Sequence, residues 1–383
     1  MNILIFGGWF GSGNLGDDAI LIGLREIFRS TLRDVEVVAL SSNPGYTEKV
    51  CGVRSVQLRS PRDILISVGS GDPYVGAFKH ADLCLVSGGT PIYDYDHVSR
   101  SINLGLPRIL GKKLVCFGIG VKPIPSVTGR RLIKLLIRQA SQISARDRPS
   151  CLLLESMGIG KPIHVTGDSA LFMKPSVENV ERLLADYEVD TSKPIVALCP
   201  RALSSRHRAH YHEELTKETI ENIRRDLART ADRLLDDGFE LVSIPMHRAH
   251  TDDDLMELNE IKKRMRNVGL TAIERPLSPQ DAMGVLGCMD LVIGLRLHTL
   301  IFAASQGVPV VSIGYDSKIR GFMELAGVGD FVSEAQSGPG ELTPLVERAL
   351  DEKRELGRSL KKSTKEMRDR ISDVAREITE LVE

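Results

Sequence analysis

A chain of 383 residues is longer than one ordinary hydrophobic core needs, and its length points to two domains. With 42% hydrophobic and 26% charged residues it reads as a soluble globular protein, and a formal net charge of −1 leaves no global field to recruit nucleic acid. The six cysteines lack CxxC or CxxH spacing, which argues against a disulfide framework or a zinc site, and no apolar run approaches the ~20 residues of a membrane span. The start, Met1 to Phe6, has no basic leader or cleavage site, so the expectation is a cytoplasmic protein without its own anchor.

In chain order, the first half alternates short apolar runs with helical patterns. Strands are expected at Ile3 to Phe6, Val35 to Leu40, Leu83 to Val86, Leu114 to Ile119 and His164 to Thr166, with helices at Asp18 to Phe28 and Leu132 to Ile143. The stretch from Met173 to Pro194 reads as the passage between domains. The rhythm then repeats, with strands at Ile195 to Cys199, Glu240 to Ile244, Thr271 to Ile273, Leu291 to Ile293 and Val308 to Ile313. Helices are expected between them at Glu213 to Asp237, Asp254 to Met265, Pro279 to Leu286 and Thr299 to Gln306. From Thr343 onward, regularly spaced apolar residues among Glu, Lys and Arg predict one or two amphipathic helices. The architecture expected is α/β: two Rossmann-like doubly wound domains facing a cleft, at 1–176 and 190–345, with a helical tail at 346–383.

Chemistry concentrates where strands end, the edge at which open α/β sheets bind ligands. After the first strand, Gly11, Gly13 and Gly16 make a literal GxGxxG. A dinucleotide is disfavoured, because the second strand ends in Ser41, Ser42 and Asn43 instead of a ribose-binding acid, and Asp17 and Asp18 would face a pyrophosphate. Those aspartates suit hydrogen bonding to sugar hydroxyls, or proton removal from one; helix N-capping accounts for Asp17 equally well. A second loop, Ser87 to His97, combines Gly88 and Gly89 with Tyr93, Asp94, Tyr95 and Asp96, a mixture used in carbohydrate recognition. In the second half, three strands end in cationic or imidazole groups: Arg201, His247, and Arg296 with His298. That convergence suggests a ligand with more than one negative charge. A plain alternative is that Arg296 pairs with a carboxylate at the sheet edge and that His247 partners a nearby aspartate. The histidines His207, His210 and His212 read as part of a solvated basic loop with Arg206 and Arg208, and no metal site is assigned.

Taken together, these elements resemble the polysaccharide pyruvyl transferase family. The resemblance rests on Gly13-Asn14-Leu15-Gly16-Asp17, Ser87-Gly88-Gly89, Arg146-Asp147 with Ser150, Gly167-Asp168, Pro200-Arg201, Pro245-Met246-His247 and Arg296-Leu297-His298 before a Gly-Val-Pro turn. It implies a glycosyltransferase-B-like fold, phosphoenolpyruvate as donor, a carbohydrate acceptor that is free, polymeric or lipid-linked, and a pyruvate ketal as product. A lipid-linked acceptor would place the enzyme at the inner face of the membrane. It also implies that His298, Arg296, Asp17 and Asp168 are catalytic, and that Arg201, His247, Gly13, Asn14, Gly88, Gly89 and Lys318 bind substrate, without metal or organic cofactor. On this reading Arg296→Ala should abolish transfer and leave folding intact. The alternative is a nucleotide-sugar glycosyltransferase of the same fold. Against it, and against a nucleotide-sugar epimerase, stands the lack of any acid from Leu291 to Tyr315, where such enzymes hold ribose. A binding module descended from such an enzyme would have lost the cationic strand ends.

Overall fold

The computed structural model describes all residues except 61–62, 65–70, 94–96, 179, 204–214, 250–251, 336–339 and 383. It divides into two compact units, one of Met1–Met173 with Met367–Glu383 and the other of Lys174–Glu366.

In the first unit, seven strands among the described residues form one parallel sheet: β1 (Asn2–Phe6), β2 (Glu36–Ser41), β3 (Arg54–Gln57), β4 (Leu83–Val86), β5 (Lys113–Ile119), β6 (Gln142–Ala145) and β7 (His164–Val165). Their order is β3-β2-β1-β4-β5-β6-β7. Ile3 pairs with Val37 on one side and Leu83 on the other, so the strand order reverses between β1 and β4. Every residue of β4 is buried, as expected for a parallel strand covered on both faces. The helix Leu15–Thr31 follows β1 and packs so closely on the 3₁₀ turn Ser169–Phe172 that a Cβ on Gly23 would lie 1.9 Å from the Ser169 carbonyl oxygen.

The helix expected at Leu132 to Ile143 is displaced. Ser126 caps a helix at Val127–Ile137, and the end of the apolar run becomes β6, drawn onto β5 as Ser141 N–H donates to the Leu114 carbonyl at 2.7 Å. The expected passage between domains contains a helix, Val180–Asp186, whose Val180, Leu183 and Leu184 are buried in the second unit.

In the second unit the strands are β8 (Ile195–Cys199), β9 (Glu240–Ser243), β10 (Arg248–Ala249), β11 (Asp252–Asp253), β12 (Leu270–Ala272), β13 (Leu291–Gly294), β14 (Val310–Ile313) and β15 (Val332–Ser333). Strands β10 and β11 form a small antiparallel hairpin, and the others a parallel sheet in the order β12-β9-β8-β13-β14-β15. Here the order reverses between β8 and β13, with Cys199 level with Gly294. The amphipathic tail forms helices Leu342–Asp351 and Lys353–Val382, the latter ending within the first unit. No helix among the described residues is long and apolar enough to cross a membrane.

Candidate functional site

Each sheet has its reversal point lined by loops from the strands on either side, the position at which doubly wound sheets open a crevice. In the second unit, Arg201 follows β8, and Arg296 and His298 follow β13. Arg296 occupies the N-cap of helix Leu297–Gln306 but its side chain supplies no capping hydrogen bond; Thr299 N–H donates to the Arg296 carbonyl at 3.1 Å. Its guanidinium turns instead to Asp254: Nε lies 2.9 and 2.8 Å from the two carboxylate oxygens and Nη2 lies 2.7 Å from Oδ1. Nη2 is also 3.1 Å from Asp252. The plain alternative for Arg296 therefore describes what its side chain does, and the expectation that Arg296→Ala leaves folding intact is corrected: that change would strand a buried carboxylate.

Arg201 is differently placed. Nη1 donates to the Tyr315 hydroxyl at 3.3 Å, and that hydroxyl donates to the Leu295 carbonyl, which ties Arg201 to the chain just ahead of Arg296. Its Nε is buried and has no hydrogen-bond partner among the described residues; the same holds for the Thr299 hydroxyl in the first turn of the helix after Arg296. An unmatched buried donor is costly unless something else meets it. His298 stands in the same first turn, partly exposed, with its ring 6.3 Å from that of Phe302. His247 pairs through Nδ1 with Asp252 Oδ2 at 3.2 Å. Burial alone would raise the Asp252 pKa, but the His247 hydrogen bond and the charges of Arg296 and Arg201 outweigh it and hold the carboxyl well below its usual range. Lys318 lies in the first turn of helix Ser317–Leu325, 3.6 Å from Asp316.

The first unit brings its motifs together through the backbone. Asn14, and not Asp17, caps helix Leu15–Thr31, its side chain accepting from Gly16 N–H at 3.0 Å. Asp17 accepts from Gly89 N–H at 3.0 Å, Trp9 N–H at 3.4 Å and Asn14 Nδ2 at 2.7 Å. One carboxylate thus latches the loops after β1 and β4 to each other. Gly88, at φ 123°, packs backbone to backbone on Gly8, and a Cβ there would meet Gly8 Cα at 2.4 Å. Gly13, at φ 84°, has nothing within 4 Å of where a Cβ would stand. Asp168 caps the 3₁₀ turn through Ala170 N–H at 2.9 Å and lies 3.6 Å from the buried Arg146. Asp147 caps helix Arg148–Ser156 through Ser150 N–H at 2.9 Å.

Tyr93 is buried, while Asp94, Tyr95 and Asp96 lie outside the described residues, as do Arg206, His207, Arg208, His210 and His212. Sequence reasoning passed over Asp254, Asp252 and Tyr315 as partners of the arginines. The run Asp252-Asp253-Asp254 just after His247 was the available signal for the first two, and Tyr315 offered none.

Solved structures with the same fold include a protein from Listeria monocytogenes described as a candidate UDP-N-acetylglucosamine 2-epimerase, with a TM-score of 0.61 and 16% identity over 94% of this chain and 90% of that one. A glycosyltransferase from Rickettsia africae gives 0.59 and 13% over 100% and 97%, and an ADP-heptose lipopolysaccharide heptosyltransferase II from Escherichia coli gives 0.51 and 11% over 93% and 98%. At such identities the likeness is one of fold, and it agrees with the two-domain Rossmann-like arrangement expected from the sequence. The profile of the polysaccharide pyruvyl transferase family matches residues 14–317, which takes in Asn14 to Asp17 and the Ser87-Gly88-Gly89 loop of the first unit and the cationic strand ends of the second. The chain belongs to the polysaccharide pyruvyl transferase family.

Proposed function

We propose that this enzyme takes pyruvate from phosphoenolpyruvate bound at the β8/β13 reversal and builds it as a ketal across two hydroxyls of a carbohydrate acceptor. The observation that carries this reading is the Arg201 Nε, a buried cationic donor with no partner among the described residues, in the loop that neighbours a helix whose N-cap side chain makes no capping hydrogen bond. Phosphoenolpyruvate offers a phosphate and a carboxylate, which suit a guanidinium beside a helix N-terminus. The Thr299 hydroxyl supplies another donor. The helix after Arg296 carries no acid for a ribose, which favours this donor over a nucleotide sugar.

Ketal formation begins with a proton delivered to the methylene carbon of the donor, which makes C2 electrophilic. One acceptor hydroxyl adds to C2, phosphate leaves with the C2–O bonding electrons, the second hydroxyl adds, and the two hydroxyl protons are released. Arg201 holds the anionic donor and stabilises the departing phosphate, with Lys318 as a further cation. His298, in the first turn of the same helix, is the general acid or phosphate donor, and His247 is oriented by Asp252. Arg296 contributes positive potential from within its ion pair. The first unit holds the acceptor, with Asp17 fixing the loops that carry Gly13, Asn14, Gly88 and Gly89, and with Asp168 as the carboxylate that orients a hydroxyl.

Thermal unfolding with phosphoenolpyruvate, and separately with uridine and guanosine nucleotide sugars, tests the donor. A ligand that binds only the folded chain at a hundredfold excess over Kd adds about 2.7 kcal/mol. Stabilisation by phosphoenolpyruvate that Arg201→Gln removes supports the reading; stabilisation by a nucleotide sugar alone replaces it with glycosyl transfer.

A further inference from the structure

Trp9 is the only tryptophan in the chain, and 47% of it is exposed. The backbone on either side of it is held by its neighbours. On one side, Gly8 is held against Gly88 backbone to backbone. On the other, Phe10 is fully buried, and its carbonyl accepts from Ser42 N–H at 3.1 Å, Ser42 Oγ at 3.0 Å and Ser41 Oγ at 3.2 Å. The backbone of Trp9 itself is fixed by Asp17 through N–H and by Ser12 N–H donating to its carbonyl at 3.2 Å. Gly11 N–H is held by Asp18 Oδ1 at 3.0 Å. These bonds fix the backbone that carries the indole.

A large aromatic group held open on a rigid loop, at the β1/β4 reversal where such sheets take ligands, is suited to a flat apolar face that also carries polar groups at its rim. A pyranose ring is such a ligand: its axial C–H groups form an apolar face and its hydroxyls project sideways. We propose that Trp9 is the platform on which a pyranose ring of the acceptor stacks, a specificity residue for the transfer. The proposal rests on the pyruvyl transfer reading above and adds the residue that recognises the sugar.

Because no other tryptophan contributes, the emission of the unmodified protein reports this site alone. The full chain, with phosphoenolpyruvate present, is titrated with methyl pyranosides of glucose, galactose, mannose and N-acetylglucosamine, and with sorbitol as an open-chain polyol. The expected result is a saturable change in emission with at least one pyranoside and none with sorbitol. Phosphate release from phosphoenolpyruvate supported by that pyranoside should show a KM raised about tenfold or more in Trp9→Ala and largely restored in Trp9→Tyr. Stabilisation by phosphoenolpyruvate should be the same in all three proteins. An indole already shielded from iodide in the free protein overturns the proposal, because protein then covers it. So does a silent indole with every pyranoside while phosphoenolpyruvate still stabilises the chain. Failure of phosphoenolpyruvate to stabilise the wild type sinks the donor reading instead, and the emission titration still decides the platform.

Discussion

Arg296 and Asp254 form a buried fork in which three N···O distances fall between 2.7 and 2.9 Å, and Asp254 Oδ2 also accepts the N–H groups of Met246 and His247 at 3.0 Å each. The pair therefore joins the end of β13 to the loop after β9, and it sets the frame on which Arg201, His247 and His298 are displayed.

Removing one member of such a pair leaves the other charged and desolvated, which costs about 3–5 kcal/mol. Arg296→Ala should lower the free energy of unfolding, extrapolated from urea titration, by that amount, whatever it does to catalysis. Arg296→Met with Asp254→Asn should recover much of the loss, since no charge is then stranded and the amide oxygen can still accept from the Met246 and His247 N–H groups. A single variant as stable as the wild type would show that the fork contributes nothing net. Loss of activity in Arg296→Ala consequently tests folding as much as chemistry, which is why Arg201 is the better donor-site probe.

The two glycine loops make a contrast that stability measurements can read. At Gly88 a methyl group would meet Gly8 Cα at 2.4 Å, with φ at 123°. At Gly13 φ is 84° and the space is open. Gly88→Ala combines strain with a backbone clash and should cost more than about 3 kcal/mol, whereas Gly13→Ala should cost about 1–2 kcal/mol from the left-handed conformation alone. Equal losses in urea unfolding would mean that the loops can separate at little cost.

These residues also show what the sequence could and could not convey. Apolar runs at Ile3, Leu83, Ile195 and Leu291 announced buried parallel strands, because hydrophobic periodicity is local. The cationic strand ends were legible for the same reason. What Arg296 does with its charge was not, since Asp254 is 42 positions away in sequence and only the β9/β13 arrangement brings it close. The segment Leu132 to Ile143 misled because a helix end and a short strand share one apolar run, and the strand assignment depends on pairing with β5. Asp17 looked like a cap because carboxylates favour first turns, yet its partner Gly89 lies 72 positions along the chain.

Asp18 gives a stability signature in pH. Burial chiefly raises its pKa, the charge of Asp17 adds to that, and the Gly11 N–H and the Tyr46 hydroxyl oppose it; the result is a carboxyl raised from an ordinary 3.8 to about 7. The folded chain thus binds this proton more tightly than the unfolded one. Its contribution is complete below the unfolded value and is lost as pH rises through about 7. Asp18→Asn, which stays neutral, should flatten the fall in stability between about pH 4 and 7 by a few kcal/mol. The check is urea unfolding of both proteins across that range. Parallel pH profiles would show that Asp18 is ionised in the fold at all these values.

Asp252 offers the sharpest test of the anion site, because its charge acts on both Arg201 and Arg296. Its carboxylate lies 3.2 Å from His247 Nδ1 and 3.1 Å from Arg296 Nη2, and the Arg201 charge also acts on it. Its depressed pKa means that the ion pairing stabilises the fold above the unfolded carboxylate value and is lost only as pH falls below it. At neutral pH, Asp252→Asn should therefore destabilise the chain modestly. The same change leaves Arg201 and Arg296 less neutralised, so phosphoenolpyruvate should bind about tenfold more tightly, measured by its concentration dependence in thermal unfolding. Turnover should fall, because the asparagine orients the His247 ring less firmly than the carboxylate does. Weaker binding in the variant would mean that Asp252 acts by holding the arginines in place, and that their charge is not what limits affinity.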